Sequence, residues 1–339
     1  MILPALSRGG AERQCLALAK ELKNLGWKID LLLLRDLIEW EKQELENFNR
    51  IYHFGIKNSF LLIRSNYQVH LFWMSIPILL GRLFLSSKNR YTIRASRINS
   101  KLLFLFKITR YFSGKTSFNS KYSVDQYVEH KLVKNENLFY IPNYTRNLMQ
   151  NFTLNSTFSP INQEIINLVM VAHWRNNKDH STLFESLSIL ENKVQIKLHL
   201  FGDTGAKDEM KELAKTKGVF DKCVFHGIVE NPWNLINPDI NILSSNYEGT
   251  PNAIMEGMSL GIPYIMSDIP ELIYLDNTLK GGFLFQKGNP LALANTIEKL
   301  ISQKKELQLL GKKGKENLLK FYDKDYITQK WLKFLKIDS

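Results

Sequence analysis

Cysteine is almost absent: Cys15 and Cys223 are the only two in 339 residues, more than 200 positions apart and without Cys-x-x-Cys or metal-type spacing. That excludes a disulfide framework and a zinc site, and two reduced thiols are expected. Long apolar runs are also missing. The longest, from Leu71 to Leu85, contains Arg82 and falls short of the roughly twenty residues needed to cross a bilayer. The first ten residues, MILPALSRGG, are apolar only as far as Leu6. They lack the basic-then-hydrophobic order of a secretion signal, so a cytoplasmic location is expected. No repeat or low-complexity tract is visible. The most informative absence is of acid: no Asp or Glu occurs between Glu46 and Asp125, although that interval carries thirteen Lys and Arg residues, from Arg50 to Lys121.

What is present is a folded chain, 44% hydrophobic and 23% charged, long enough for two domains with separate cores. The net charge of +12 sits entirely in the first half: residues 1–150 hold 23 Lys and Arg against 11 Asp and Glu, while residues 151–339 hold 22 of each. One domain thus turns a one-signed surface toward something anionic. Its cations alternate with Leu, Ile, Phe and Trp rather than with nucleic-acid-binding patterns, which argues against nucleic acid. An anionic membrane surface fits better, attracting each nearby cation by about 1 kcal/mol, with Phe72, Trp73, Phe84 and the apolar run 102–106 as interfacial anchors. The competing reading is that these apolar residues are buried and the cations only solubilise.

Along the chain, 11–23 reads as a helix after a glycine turn and 27–34 (WKIDLLLL) as a buried strand. Residues 147–162, rich in Asn, Thr and Ser, read as a linker. Beyond it strands and helices alternate: strands at 166–172, 196–201, 224–226, 240–243 and 264–266, helices at 181–190, 207–217, 252–260 and 290–303. Such alternation predicts a doubly wound parallel sheet, with ligands beyond the carboxyl ends of its strands. The expected domains are 1–150, 160–320 and a terminal helix over 321–339.

The run SSNYEGTPNAIMEGMSLGIP, residues 244–263, carries the chemistry. A strand ends, a loop holds Glu248 and Gly249, and Thr250, Pro251 and Asn252 open a helix with proline in a first-turn position. The helix N-terminus offers backbone N–H groups and partial positive charge to a phosphate, and Gly249 permits close approach. Glu248 and Glu256 can point into one cleft, where carboxylates accept hydrogens from a sugar's vicinal hydroxyls.

This run resembles the signature of glycosyltransferase family 4, retaining enzymes of the GT-B fold: a Glu, seven residues, then a Glu. The resemblance implies an α/β architecture of two facing Rossmann-like, doubly wound parallel-sheet domains with a C-terminal crossover helix. It assigns Glu248 to the donor sugar and Glu256 to the ribose hydroxyls. HWRNNKDH is similar to the family loop that neutralises the donor diphosphate, giving that role to Lys178. The family's arginine falls at His173, so either Arg175 supplies the charge or His173 donates a neutral hydrogen bond. HLFGDTG places Gly202 near the donor, and VFHGIVENPW places Gly227 and Val229 at the nucleobase. ALSRGGAERQ is similar to the N-terminal glycine loop, so Gly9 and Gly10 would approach the donor phosphates or the acceptor. Only MILPAL precedes that loop, so the first strand is short or the start lies upstream. Tyr326, Trp331, Phe334 and Leu335 would form the buried face of the crossover helix.

The implied reaction moves a sugar from a nucleoside diphosphate, UDP-sugar favoured, to a hydroxyl of a glycan or lipid-linked oligosaccharide, in bacterial surface-polysaccharide synthesis at the cytoplasmic face of the membrane. Lys178, Arg175 and the helix start at 250–252 would stabilise the departing diphosphate. No Asp-x-Asp cluster occurs and no metal or cofactor is expected. Nor is a covalent nucleophile. His70 and Arg94 are candidates for the acceptor side. Two other readings stay open: a sugar-nucleotide epimerase-like GT-B enzyme, and a non-catalytic subunit of a polysaccharide assembly complex.

Overall fold

The computed structural model describes residues 1–7, 9–55, 67–74, 76–78, 81, 88–94, 103, 104, 107, 114–145, 165–190 and 195–336. The linker expected at 147–162 lies outside them. The chain divides into two compact units, Met1–Tyr144 with Tyr322–Ser339, and Thr145–Phe321.

The first unit holds a seven-stranded sheet of β1 (Ile2–Leu3), β2 (Asp30–Leu33), β3 (Arg50–His53), β4 (His70–Trp73), β5 (Asn89–Ile93), β6 (Thr116–Phe118) and β7 (Leu138–Tyr140). Its order is β3-β2-β1-β4-β5-β6-β7 and every pairing is parallel. Helix α1 (Gly10–Asn24) makes the first crossover and buries Cys15, Leu18, Ala19 and Leu22, the spacing of one helical face. Helix α2 (Lys121–Glu129) puts Tyr127 into a core shared with Phe72, Tyr91 and Phe118.

The second unit holds six parallel strands: β8 (Ile165–Val171), β9 (Gln195–Phe201), β10 (Cys223–Gly227), β11 (Ile240–Leu243), β12 (Tyr264–Ser267) and β13 (Gly282–Phe285), in the order β10-β9-β8-β11-β12-β13. β11 and β12 are buried at every position, as interior strands of a two-sided sheet should be, with the polar Asn241 and Ser267 among the buried residues. The helices are α3 (His180–Ile189), α4 (Glu209–Thr216), α5 (Asn252–Ser259), α6 (Pro270–Leu279), α7 (Pro290–Ser302) and α8 (Lys304–Phe321). Each strand and helix expected in this half is present within two residues of its expected bounds. β13, α6 and α8 are additional.

The chain then rejoins the first unit as α9 (Lys324–Leu335), capped by the Asp323 side chain, which accepts from the Tyr326 N–H at 2.8 Å. Its buried face is Ile327, Thr328, Trp331, Phe334 and Leu335. Tyr326 does not belong to it, being 51% exposed: the stripe through 327, 331 and 334 leaves position 326 on the flank. Arg90 closes the helix C-terminus, its guanidinium donating to the carbonyls of Phe334 at 2.9 Å and Lys336 at 2.7 Å.

These placements correct the membrane reading in part. Phe72 and Trp73 are core residues and cannot serve as anchors, and Arg90 and Arg94 are buried cations rather than surface ones. Leu103 packs against the core while Phe104 is 64% exposed. Phe84, Leu102, Leu105 and Phe106 lie outside the described residues. Among the described residues no helix is long and apolar enough to cross a membrane.

Candidate functional site

In the second sheet the order turns back on itself between β8 and β11, with β9 and β10 on one side and β12 and β13 on the other. The crevice beyond the carboxyl ends at such a reversal is where open parallel sheets take ligands. The loops leaving β8 and β11 are joined there. Lys178 and Ser245 form an antiparallel bridge, the Asp179 N–H donates to the Ser244 carbonyl at 2.9 Å, and the Asn246 N–H to the Asn177 carbonyl at 2.8 Å.

This stitching brings the Lys178 ammonium into a hydrogen-bonded ion pair with Oε1 of Glu248, 70 positions along the chain. The Ser245 hydroxyl donates to the same oxygen at 2.7 Å. Glu248 is 8% exposed. A carboxylate so withdrawn from water is tolerable only because a cation and a hydroxyl both serve it. Behind Lys178, Asp179 caps α3, accepting from the Thr182 N–H at 3.1 Å and its hydroxyl at 2.7 Å. His180 lies buried against Trp174 and Phe184 with Nδ1 3.2 Å from the Lys178 carbonyl. Burial holds its imidazole neutral, its pKa lowered to about 4.

On the neighbouring strand ends, His173 Nδ1 lies 2.6 Å from Oδ2 of Asp203 in the loop after β9, while Arg175 is exposed. Gly202 has φ +133°, and a Cβ there would meet the Ala172 carbonyl oxygen at 2.3 Å; its N–H donates to the Gly227 carbonyl at 2.8 Å. Glycine at 202 therefore lets the ends of β8, β9 and β10 close together. Val229 packs against Val169, Phe201, Trp233 and Ile262.

Helix α5 starts at Asn252 with Pro251 in the cap position, not inside the first turn, and Pro251 has no side chain to satisfy the first N–H groups. Gly249 and Thr250 lead into it half-buried. Asn241 ties that first turn to β11, donating to the Ala253 carbonyl at 3.0 Å. Glu256, 6% exposed, faces a different partner from Glu248: the indole N–H of Trp233 donates to its Oε2 at 3.2 Å.

The remaining candidates belong to the first unit. Gly9 caps α1 and Gly10 is its first residue. A Cβ on Gly9 would meet Oε2 of Glu12 at 2.3 Å, and Ser7 donates to the other oxygen at 3.1 Å. A carboxylate thus already occupies this helix start, which disfavours the phosphate role expected for Gly9 and Gly10. His70 opens β4 at the amino edge of the sheet, is buried, and pairs with the Asn89 side chain at 3.2 Å; burial lowers its pKa. That edge is the opposite one from the strand ends where ligands gather. Arg94 follows β5 at the carboxyl edge but is buried, with its centre 5.1 Å from the Trp73 ring and 4.9 Å from the Trp331 ring. It donates to the Ile141 carbonyl and the Asn143 side chain, both at 3.1 Å, and burial lowers its pKa to about 9. Both side chains therefore hold the fold, and neither is displayed as an acceptor contact.

Sequence reasoning passes over Asp203, Ser245 and Trp233. Ser245 lies two residues past the end of β11 and three before Glu248, and a hydroxyl so near a buried Glu is a signal that could have marked it. Nothing in the spacing of Trp233 and Glu256 predicts their contact.

The arrangement sets a lysine and a buried glutamate together where the strand order reverses, and the comparisons point to glycosyltransferases. The family described as Glycosyl transferases group 1 matches residues 152–317, most of the second unit. Lipopolysaccharide 1,6-galactosyltransferase of Escherichia coli K12 is 28% identical over 42% of this chain and 41% of its own length. The poly(ribitol-phosphate) alpha-N-acetylglucosaminyltransferase of Staphylococcus aureus is 24% identical over 42% of this chain and 30% of its own. The chain thus spans less than half the length of the curated relatives it matches. Among solved structures, Anabaena HepE in complex with UDP superimposes with a TM-score of 0.84, 17% identity and 98% coverage of both chains. At that identity the likeness establishes the fold: two Rossmann-like parallel-sheet domains of the GT-B type.

Proposed function

We propose that this chain is a retaining glycosyltransferase that moves a hexose from a nucleoside-diphosphate sugar, UDP-sugar favoured, to a hydroxyl of a glycan or lipid-linked oligosaccharide in bacterial surface-polysaccharide synthesis. The observation that carries the reading is the pairing of Lys178 with the buried Glu248 at the β8/β11 reversal. It offers one charge of each sign to a ligand bearing both a diphosphate and hydroxyls. Lys178 and the start of α5 are placed to stabilise charge developing on the departing diphosphate, work that electrostatic preorganisation does well. Arg175, exposed nearby, adds a third cation; His173, held by Asp203, orients the loop. Glu248 accepts donor-sugar hydroxyls and Glu256 those of the ribose. The diphosphate is neutralised by these groups without a metal, and the acceptor hydroxyl attacks from the face the phosphate leaves. The match to Glycosyl transferases group 1 supports the reaction class, and relatives named for lipopolysaccharide support the pathway.

Peripheral attachment to an anionic membrane through the acid-free stretch belongs to the same proposal. Cosedimentation with anionic liposomes, lost in salt and absent with neutral ones, is the expected result; no binding at any ionic strength contradicts it. For the activity, a panel of sugar nucleotides is scored by thermal stabilisation, where a ligand at 100 times its Kd adds about 2.7 kcal/mol. Stabilisation by one sugar nucleotide, with nucleotide release only when acceptor is added, is predicted. Turnover without acceptor would favour an epimerase, and no stabilisation by any would favour a non-catalytic subunit.

A further inference from the structure

Trp233 sits in the turn Pro232–Asn234 after β10, 1% exposed and enclosed with Val169, Phe201 and Ile262. Its indole has one polar group, a donor, and that N–H points at Oε2 of Glu256 from 3.2 Å. Packing fixes the ring. A Cβ on Gly257 would lie 2.9 Å from Cη2 of the indole, so glycine after Glu256 leaves the slot in which the ring lies. A buried carboxylate needs donors, and a donor that cannot rotate also fixes the carboxylate's orientation.

We infer that Trp233 is a positioning residue for nucleotide recognition: its N–H holds the Glu256 carboxylate in the orientation that receives the ribose hydroxyls. The inference rests on the reading in which Glu256 contacts ribose. Trp233 itself touches no reacting atom. A ring that served only to fill the core would affect stability and leave hydroxyl discrimination alone.

The test uses the full chain, titrated calorimetrically with UDP and with 2′-deoxy-UDP, as wild type, Trp233→Phe and Glu256→Gln. The wild type should prefer UDP by about tenfold or more, the worth of a charge-assisted hydrogen bond. Both variants should reduce that preference to about threefold or less. Trp233→Phe with the full wild-type preference overturns the inference while the Glu256 reading stands. Glu256→Gln with the full preference, or a wild type without one, overturns the reading and the inference together. If Trp233→Phe does not fold, 15N-indole spectra decide: the indole signal displaced in Glu256→Gln must also move when UDP is added to the wild type. If no signal does both, the inference fails.

Discussion

Two buried glutamates eight positions apart are served by different partners, and that difference sets what each substitution should do. Glu256 accepts from the Trp233 N–H, while Glu248 is held by Lys178. Glu256→Ala is predicted to cost about 1.5 to 3 kcal/mol of nucleoside-diphosphate binding, roughly ten- to 150-fold in Kd, read by calorimetric titration. Unchanged affinity would remove it from the site. The pairing of Lys178 with Glu248 was legible in the sequence only as two separate candidates, since the contact depends on the loops of β8 and β11 being stitched together by backbone bonds that leave no residue signature. Arg94 shows the reverse failure. A cation in a basic stretch invites a binding role, yet two tryptophans and three acceptors, on Thr92, Ile141 and Asn143, hold it inside the fold.

Among the elements, the second sheet was readable because its strands are short and mainly apolar and most are followed by a helix. β13 and α8 were not, and glycine is the reason. Gly282 starts β13 where a Cβ would meet the Tyr264 carbonyl at 2.0 Å, and Gly311 and Gly314 lie inside α8 against Gly261 and Met258. Residues that ordinarily weaken strands and helices are used here for close approach. The same logic predicts the cost of Gly202→Ala: a left-handed φ and a carbonyl in the way should lower stability by roughly 2 to 4 kcal/mol, seen as a lower denaturant midpoint. A midpoint equal to wild type would mean the three strand ends are not closed as described. In the first unit, polar residues buried along β5 disguise a central strand, so its strands were harder to place.

For the whole molecule, His180 and His199 are held neutral by burial, each with a pKa lowered to about 4 from an ordinary 6.5. Between those values the unfolded chain binds more protons than the folded one, so stability rises with pH across that window. The histidines' contribution should be constant above about pH 6.5 and fall as pH drops toward 4, with His180, the more buried, contributing on the order of 2 to 3 kcal/mol. Urea midpoints at about pH 7.5 and pH 5 check this; equal midpoints would show that the rings are not buried neutral. The +12 net charge, confined to sequence before position 151, was legible at once, but the burial of Arg90 and Arg94 was not.

The account turns on whether the lysine held by Glu248 grips the diphosphate, and titration of UDP into wild type and Lys178→Ala measures that directly. Loss of one charged contact predicts affinity weaker by about 1.5 to 3 kcal/mol, tenfold or more in Kd, in a protein that still unfolds cooperatively. Equal affinity in the two proteins would place the nucleotide elsewhere and contradict the assignment.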